Sequence, residues 1–182
     1  MSRTIVLTAL LLLAAIAAAS AGAKSGGAPY TTEHDLWRAS ANGFAAWQRS
    51  GVSLGADGML RLDAATAATE TDPYAAGAYQ GRNYYNGGSY LVGEAISPDV
   101  AAAAFTQAIA SWNAETPEGS WVEVQISARV AGRWTKYYTA GPWASGLGAI
   151  DRHSVNLQAD ADGTFAVDTL ILNGKKAPPA DA

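Results

Sequence analysis

Nine residues constrain this chain more than any others: Val122, Val124, Ile126, Ala128 and Val130 alternate with Glu123, Gln125, Ser127 and Arg129. A period of two lays the apolar side chains along one face of a strand and the polar ones along the other. A helix would scatter the same residues around its surface. The next residues, Ala131-Gly132-Arg133, are short and carry glycine, as a hairpin loop requires, and Trp134 to Thr139 is a second β-prone run. The sequence therefore predicts an antiparallel hairpin with one wet face. Four of the six tryptophans, Trp112, Trp121, Trp134 and Trp143, lie between Ser111 and Gly146, in or beside it.

The same grammar recurs along the chain. Val52 and Leu54 alternate before Asp57-Gly58, and Leu60 and Leu62 alternate after it, which spells another hairpin within Gly51–Asp63. Ser154–Gln158 and Thr164–Leu172 flank Asp160-Ala161-Asp162-Gly163 and read as a third. Ser89–Ser97 reads as a strand closed by Pro98. Asp99–Ile109 has helical propensity, and Pro98-Asp99 would start a helix well, yet its apolar residues also fit an extended run; the sequence leaves both open. Glu33–Gln48 holds Leu36, Trp37, Phe44 and Trp47 around the breaking pair Asn42-Gly43, so it predicts at most a short helix or irregular packing. Ala64–Gly88 reads as a long surface loop with a turn at Asp72-Pro73, and Tyr74, Tyr79, Tyr84, Tyr85 and Tyr90 lie in or near it.

Short strands at near-regular spacing with Gly and Asp turns predict an all-β class: an antiparallel β-sandwich, jelly-roll-like, over 51–172, with room for one or two short helices. Residues 24–50 would form a leader and packing segment. Residues 173–182, polar and proline-bearing, would form a tail or the start of a linker.

The first 23 residues read as a removable secretory signal. A positive Met1-Ser2-Arg3 precedes an uncharged apolar run from Ile5 to about Ala19, and Ala21-Gly22-Ala23 supplies the small residues of a cleavage site after Ala23. The run is shorter than the ~20 residues that span a bilayer. This places the mature protein in a secreted or periplasmic compartment, without membrane attachment. Losing Arg3 would leave 11 basic residues against 16 acidic ones, a formal charge of −5. That acidic balance disfavours nucleic acid and anionic membrane surfaces as partners. Without a cysteine, the chain can have no disulfide, thiolate metal site or cysteine nucleophile.

Few residues point to chemistry. Aromatic side chains could form a platform for sugar rings, with Trp121, Trp134, Tyr138 and Trp143 as candidate ligand-binding residues, while a core role competes at each of them. Asn113, before Glu115-Thr116-Pro117, could add a polar contact or cap a turn through its own side chain. Asp160 and Asp162 before Gly163 suggest a calcium loop, but an acidic first position and a closing Glu are missing, so a plain turn is expected and no metal or cofactor is implied. Asp151, His153 and Ser154 carry the letters of a hydrolytic triad, yet adjacent residues of a strand point to opposite faces, so Ser154 cannot join the other two. Glu123 and Asp168 would be glycosidase carboxylates only if a cleft brought them within ~5–10 Å. His34 between Glu33 and Asp35 reads as a solvated side chain.

Several segments together resemble a known family. Ile109–Val124 (IASWNAETPEGSWVEV), Gly132–Tyr138 (GRWTKYY) and Gly141–Gly146 (GPWASG), followed by Arg152–Val155, Gln158–Gly163 and Val167–Leu170, are similar to the N-terminal region of secreted bacterial C39-like peptidase family proteins. The Ser111–Trp121 motif is the most specific part, and Gly51–Leu62 and Gly93–Pro98 fit more loosely. In that family the β-rich region precedes a papain-like domain with the catalytic cysteine and histidine. Neither motif has a matching position here, so the resemblance assigns no catalytic residue. It implies a non-catalytic accessory domain whose partners would be a peptidase domain, a polypeptide or an extracellular glycan. A stand-alone carbohydrate- or cell-wall-binding module and a β-sandwich hydrolase using carboxylates are the competing readings.

Overall fold

The structure, a computed structural model, describes residues 32–39, 43–146 and 150–173. The expected signal segment, the leader at Lys24–Ala28 and the tail beyond Asn173 lie outside the described residues. Within them the regular structure is antiparallel β, as the alternation requires, distributed over small sheets of two or three strands.

The two small sheets of the central hairpin and one three-stranded sheet build the core. In the central hairpin β8 (Val122–Ile126) pairs with β11 (Tyr138–Trp143), and beyond them β9 (Arg129–Val130) pairs with β10 (Arg133–Trp134). The turn is tighter than the three residues expected: Val130 faces Arg133, and only Ala131 and Gly132 intervene, both with positive φ. That is the backbone geometry whose twist suits a two-residue hairpin loop. Between the two ladders Ser127 and Ala128 stand opposite Thr135, Lys136 and Tyr137. The surplus residue is absorbed by the buried Thr135, whose Oγ1 accepts the Ala128 N–H and donates to the Lys136 carbonyl.

The three-stranded sheet runs in the order β12 (Gly163–Ala166), β13 (Thr169–Leu172), β7 (Gln107–Ile109). The residues that might have made a helix at 99–109 are therefore extended where they are regular. Phe165, Leu170 and Leu172 from this sheet meet Ala128, Val130 and Tyr138 from the hairpin in one buried cluster. The third hairpin differs from its expected form, because Ser154–Gln158 contributes no strand and the turn falls inside Thr164–Leu172, at Val167-Asp168. Val167 takes a positive φ there. Ser154–Gln158 is instead held by side chain: Gln158 Oε1 accepts the Thr139 N–H at 2.6 Å, and its Nε2 donates to the Thr139 carbonyl at 2.8 Å. One glutamine amide thus stands in for a strand partner.

The N-terminal half is organised by two glycines. β1 (Gln48–Ser50) and β2 (Val52–Leu54) are separated by Gly51, and β5 (Ser89–Val92) and β6 (Glu94–Ile96) by Gly93. β1 pairs with β6, β2 with β3 (Leu60–Leu62), and β5 with β4 (Ala68–Thr71). A Cβ on Gly93 would collide with the Gly51 carbonyl, so the two segments can cross only because neither carries a side chain at that point. The expected single strand Ser89–Ser97 is thus two strands serving two partners. β4 likewise takes four residues from what reads as loop. Ahead of β1, Trp47 receives Trp37 and Phe44 edge-on at 5.6 and 5.2 Å, the irregular aromatic packing expected there.

Candidate functional site

The most distinctive side-chain assembly lies where β4, β5, β8 and the loop 72–88 meet. It begins with Asp72. Its carboxylate is buried and accepts the backbone N–H groups of Tyr74 (3.0 Å), Tyr85 (2.8 Å) and Gly87 (2.9 Å). Burial pulls its pKa upward, but those N–H groups outweigh it and hold the carboxyl below its usual range. The loop is thereby folded around one anion. Gln80 and Gly81, both at positive φ, make a second tight turn in which Tyr79 and Arg82 exchange backbone hydrogen bonds at 3.0 Å.

Those two turns line up the tyrosines. Tyr74, Tyr79 and Tyr84 touch one another with ring centroids 4.9–5.3 Å apart. Tyr84 meets Tyr85 edge-on at 4.6 Å, and Tyr85 stacks on Trp121 at 5.2 Å with only 25° between the planes. Tyr90, from β5, closes on both Tyr85 and Trp121. His153 packs on Tyr79 and Tyr84 from the other side. The result is a continuous aromatic wall whose Tyr74 end is 42% exposed while Tyr79 is buried.

Two carboxylates border the wall. The Tyr85 hydroxyl donates to Glu123 Oε2 at 2.8 Å, and the Tyr90 hydroxyl to Glu70 Oε2 at 3.1 Å. Gln125 Nε2 holds the other oxygen of Glu123 at 2.8 Å. Tyr90 is pushed up to about 12, by burial first and then by the hydrogen bond and charge of Glu70. Burial and Glu123 raise Tyr84 and Tyr85 further still. All three phenols are therefore neutral at physiological pH, and Tyr85 and Tyr90 donate to the two bordering carboxylates.

The residues singled out from sequence fall in different places. Trp121 belongs to the wall. Trp143, half-buried on β11, lies beneath the Arg152 guanidinium at 5.1 Å, and Arg152 in turn donates to the Ala144 and Ser145 carbonyls. Trp134 stands 45% exposed on the hairpin tip opposite Arg129. Tyr138 faces the opposite way: it is fully buried opposite Ile126 and offers no ring face to a ligand. The surplus residue between the two ladders reverses its face relative to Trp134, which simple alternation cannot reveal. Asn113 is exposed and makes no side-chain hydrogen bond among the described residues; its neighbour Thr116 pins the segment instead, accepting the Ser145 N–H at 2.6 Å.

The remaining acidic and basic candidates are also separated. Asp160 Oδ1 accepts the N–H groups of Asp162 and Gly163, which makes a turn and not an ion cage. Glu123 is held at the wall, whereas Asp168 is exposed at the β12–β13 turn beside Thr169. His153 Nε2 lies 2.7 Å from the Tyr84 carbonyl, so it must donate there, and Nδ1 faces the Ser154 carbonyl at 3.2 Å. Neither nitrogen is placed to serve Ser154 as a base.

Sequence reasoning noted the tyrosines but not the wall. The missed signal is Asp72, whose short side chain just before a proline can collect N–H groups from more than ten residues downstream. A family model described as Peptidase C39 N-terminal domain matches residues 33–180, a span that takes in the whole wall. No curated protein and no solved structure matches the chain.

Proposed function

Since this chain belongs to the Peptidase C39 N-terminal domain family, we propose that it is a non-catalytic accessory domain that binds or positions a polypeptide, or a partner domain, for a C39-type peptidase. The observation that carries this reading is the family match over 33–180, most of the described structure. The aromatic wall supports it, because the exposed Tyr74 ring and the half-buried Tyr84, Tyr85, Tyr90 and Trp121 beside it offer aromatic contact at low entropic cost. The absence of cysteine from the sequence is consistent with it, since the thiolate nucleophile of a papain-like peptidase has no counterpart in this chain. We place its action outside the cytoplasm on the basis of the N-terminal charge-then-apolar pattern; N-terminal sequencing of exported protein starting at Lys24 would support that placement.

The test is a cleavage assay with a C39-type peptidase domain, with and without this domain attached. The proposal expects the isolated chain to cleave nothing and its attachment to lower KM while leaving kcat nearly unchanged, the signature of added uniform binding. Peptide cleavage by the purified chain itself would overturn it. A glycan-binding module is the second reading. It is favoured by the Tyr74 end of the wall, where an exposed ring is available for sugar stacking.

A further inference from the structure

We propose that the aromatic wall is a docking face for a cationic, extended polypeptide, with a Lys or Arg side chain laid against the ring faces and Glu70 and Glu123 as its counter-charges. This rests on the accessory-domain reading above and supplies the chemical class of what is held. Charge complementarity selects this partner. The described ion pairs lie elsewhere and join Arg61 to Asp57, Arg133 to Asp162 and Lys136 to Asp160. Glu70 and Glu123 form no ion pair among the described residues. Each is instead held by the hydroxyl of a wall tyrosine. Arg82, the sole basic residue between Ala64 and Tyr90, bonds neither carboxylate.

Two independent features thus select the same ligand sign. Ring faces carry negative quadrupole density and attract a cation within ~6 Å of the centroid. Fixed carboxylates at the rim add a Coulombic term and steer approach. Because the Tyr85 and Tyr90 phenols stay neutral, each keeps its proton and donates a hydrogen bond that holds its carboxylate in place. An acidic partner would meet repulsion along the whole patch. A neutral glycan could stack, but it would leave the carboxylate charge unused.

The experiment is calorimetric titration of the purified chain with a lysine-rich peptide, a glutamate-rich peptide of equal length, and a chitin oligosaccharide. Each is run at ionic strengths of about 10 mM and about 150 mM, where screening lengths are ~30 and ~8 Å. The lysine peptide alone should bind, more weakly at the higher salt. Glu70→Gln and Glu123→Gln should each weaken it roughly three- to tenfold without lowering the melting temperature. Asp168→Asn, the same charge change at a distant exposed turn, should leave binding within about twofold. Binding of the oligosaccharide in preference to the peptide, equal loss in Asp168→Asn, or no binding of the lysine peptide would each overturn the proposal. If any of these occurred while the attached domain still lowered a peptidase's KM, the accessory-domain reading would stand and this inference alone would fall.

Discussion

The Tyr138 hydroxyl donates to Oδ1 of Asp160 at 2.6 Å, so a ring wholly inside the core delivers its polar end to the carboxylate that closes the β12 turn. Burial alone would push that carboxyl up. The Tyr138 hydroxyl, the Gly163 and Asp162 N–H groups and Lys136 together outweigh burial and hold it at about 2. A carboxylate depressed in the folded state stabilises the protein above its unfolded pKa, ~3.9, and that contribution is lost as pH falls through the folded value. Tyr138→Phe should therefore cost about 1–2 kcal/mol at neutral pH and flatten the loss of stability between about pH 4 and pH 2. Thermal melts across that range, beside wild type, decide it. An unchanged acid limb would mean that Tyr138 does not hold the carboxylate.

That contact also marks how far the sequence could be read. Alternation from Val122 to Val130 identified the strand and its oily face, and Ala128 and Val130 are indeed buried. It could not place Tyr138, because face assignment after a bulge depends on counting residues on both strands at once. The Gly51–Asp63 hairpin was legible because its turn chemistry is local. The division of Ser89–Ser97 was not, since Gly93 matters only through Gly51, which is distant in sequence. The wall was hidden for the same reason. Its tyrosines were visible as a cluster in composition, but the agents that gather them are Asp72, Trp121, Glu123 and His153, drawn from separate parts of the chain.

Asp72→Ala should dismantle the wall selectively. It removes one buried carboxylate and leaves three backbone N–H groups, those of Tyr74, Tyr85 and Gly87, without their acceptor. Each orphaned donor costs on the order of 1 kcal/mol or more, so a loss of roughly 2–4 kcal/mol is expected. Near-UV circular dichroism should lose its tyrosine signal, and amide exchange at Tyr85 and Gly87 should quicken. The cluster of Leu170 and Phe165 should stay protected, since it is built from other elements. Uniform loss of protection across both regions would contradict this separation.

Alkali should destabilise the fold in a defined window. Tyr90 is raised to about 12 by burial and then by Glu70, and Tyr84, Tyr85 and Tyr138 are raised beyond it, burial again leading. A phenol whose folded pKa is raised contributes stability that is whole below its unfolded pKa, ~10, and lost as pH climbs from there towards the folded value. The melting temperature should hold to about pH 10 and fall steeply between 10 and 12. Absorbance at the phenolate band should show the buried tyrosines ionising only with unfolding. Glu70→Gln should bring Tyr90 closer to 10 while leaving Tyr138 untouched.

Gly141→Ala should be the most disruptive single methyl in the central hairpin. Gly141 sits at the irregularity between Thr139 and Pro142, with φ +95°, and its absent Cβ would strike the His153 carbonyl. Backbone against backbone cannot yield as a side-chain tip can. The strain of that φ and the collision together should cost on the order of 3 kcal/mol or more. Gly146→Ala is the control: no atom of the described residues lies within 4 Å of its would-be Cβ, so its melting temperature should stay near wild type. Displacing His153 also disturbs its hydrogen bond to the Tyr84 carbonyl, so Gly141→Ala should perturb the tyrosine near-UV signal as well as the melt. A variant that lost stability but kept that signal would show that the hairpin and the wall are joined less tightly than the His153 contact implies.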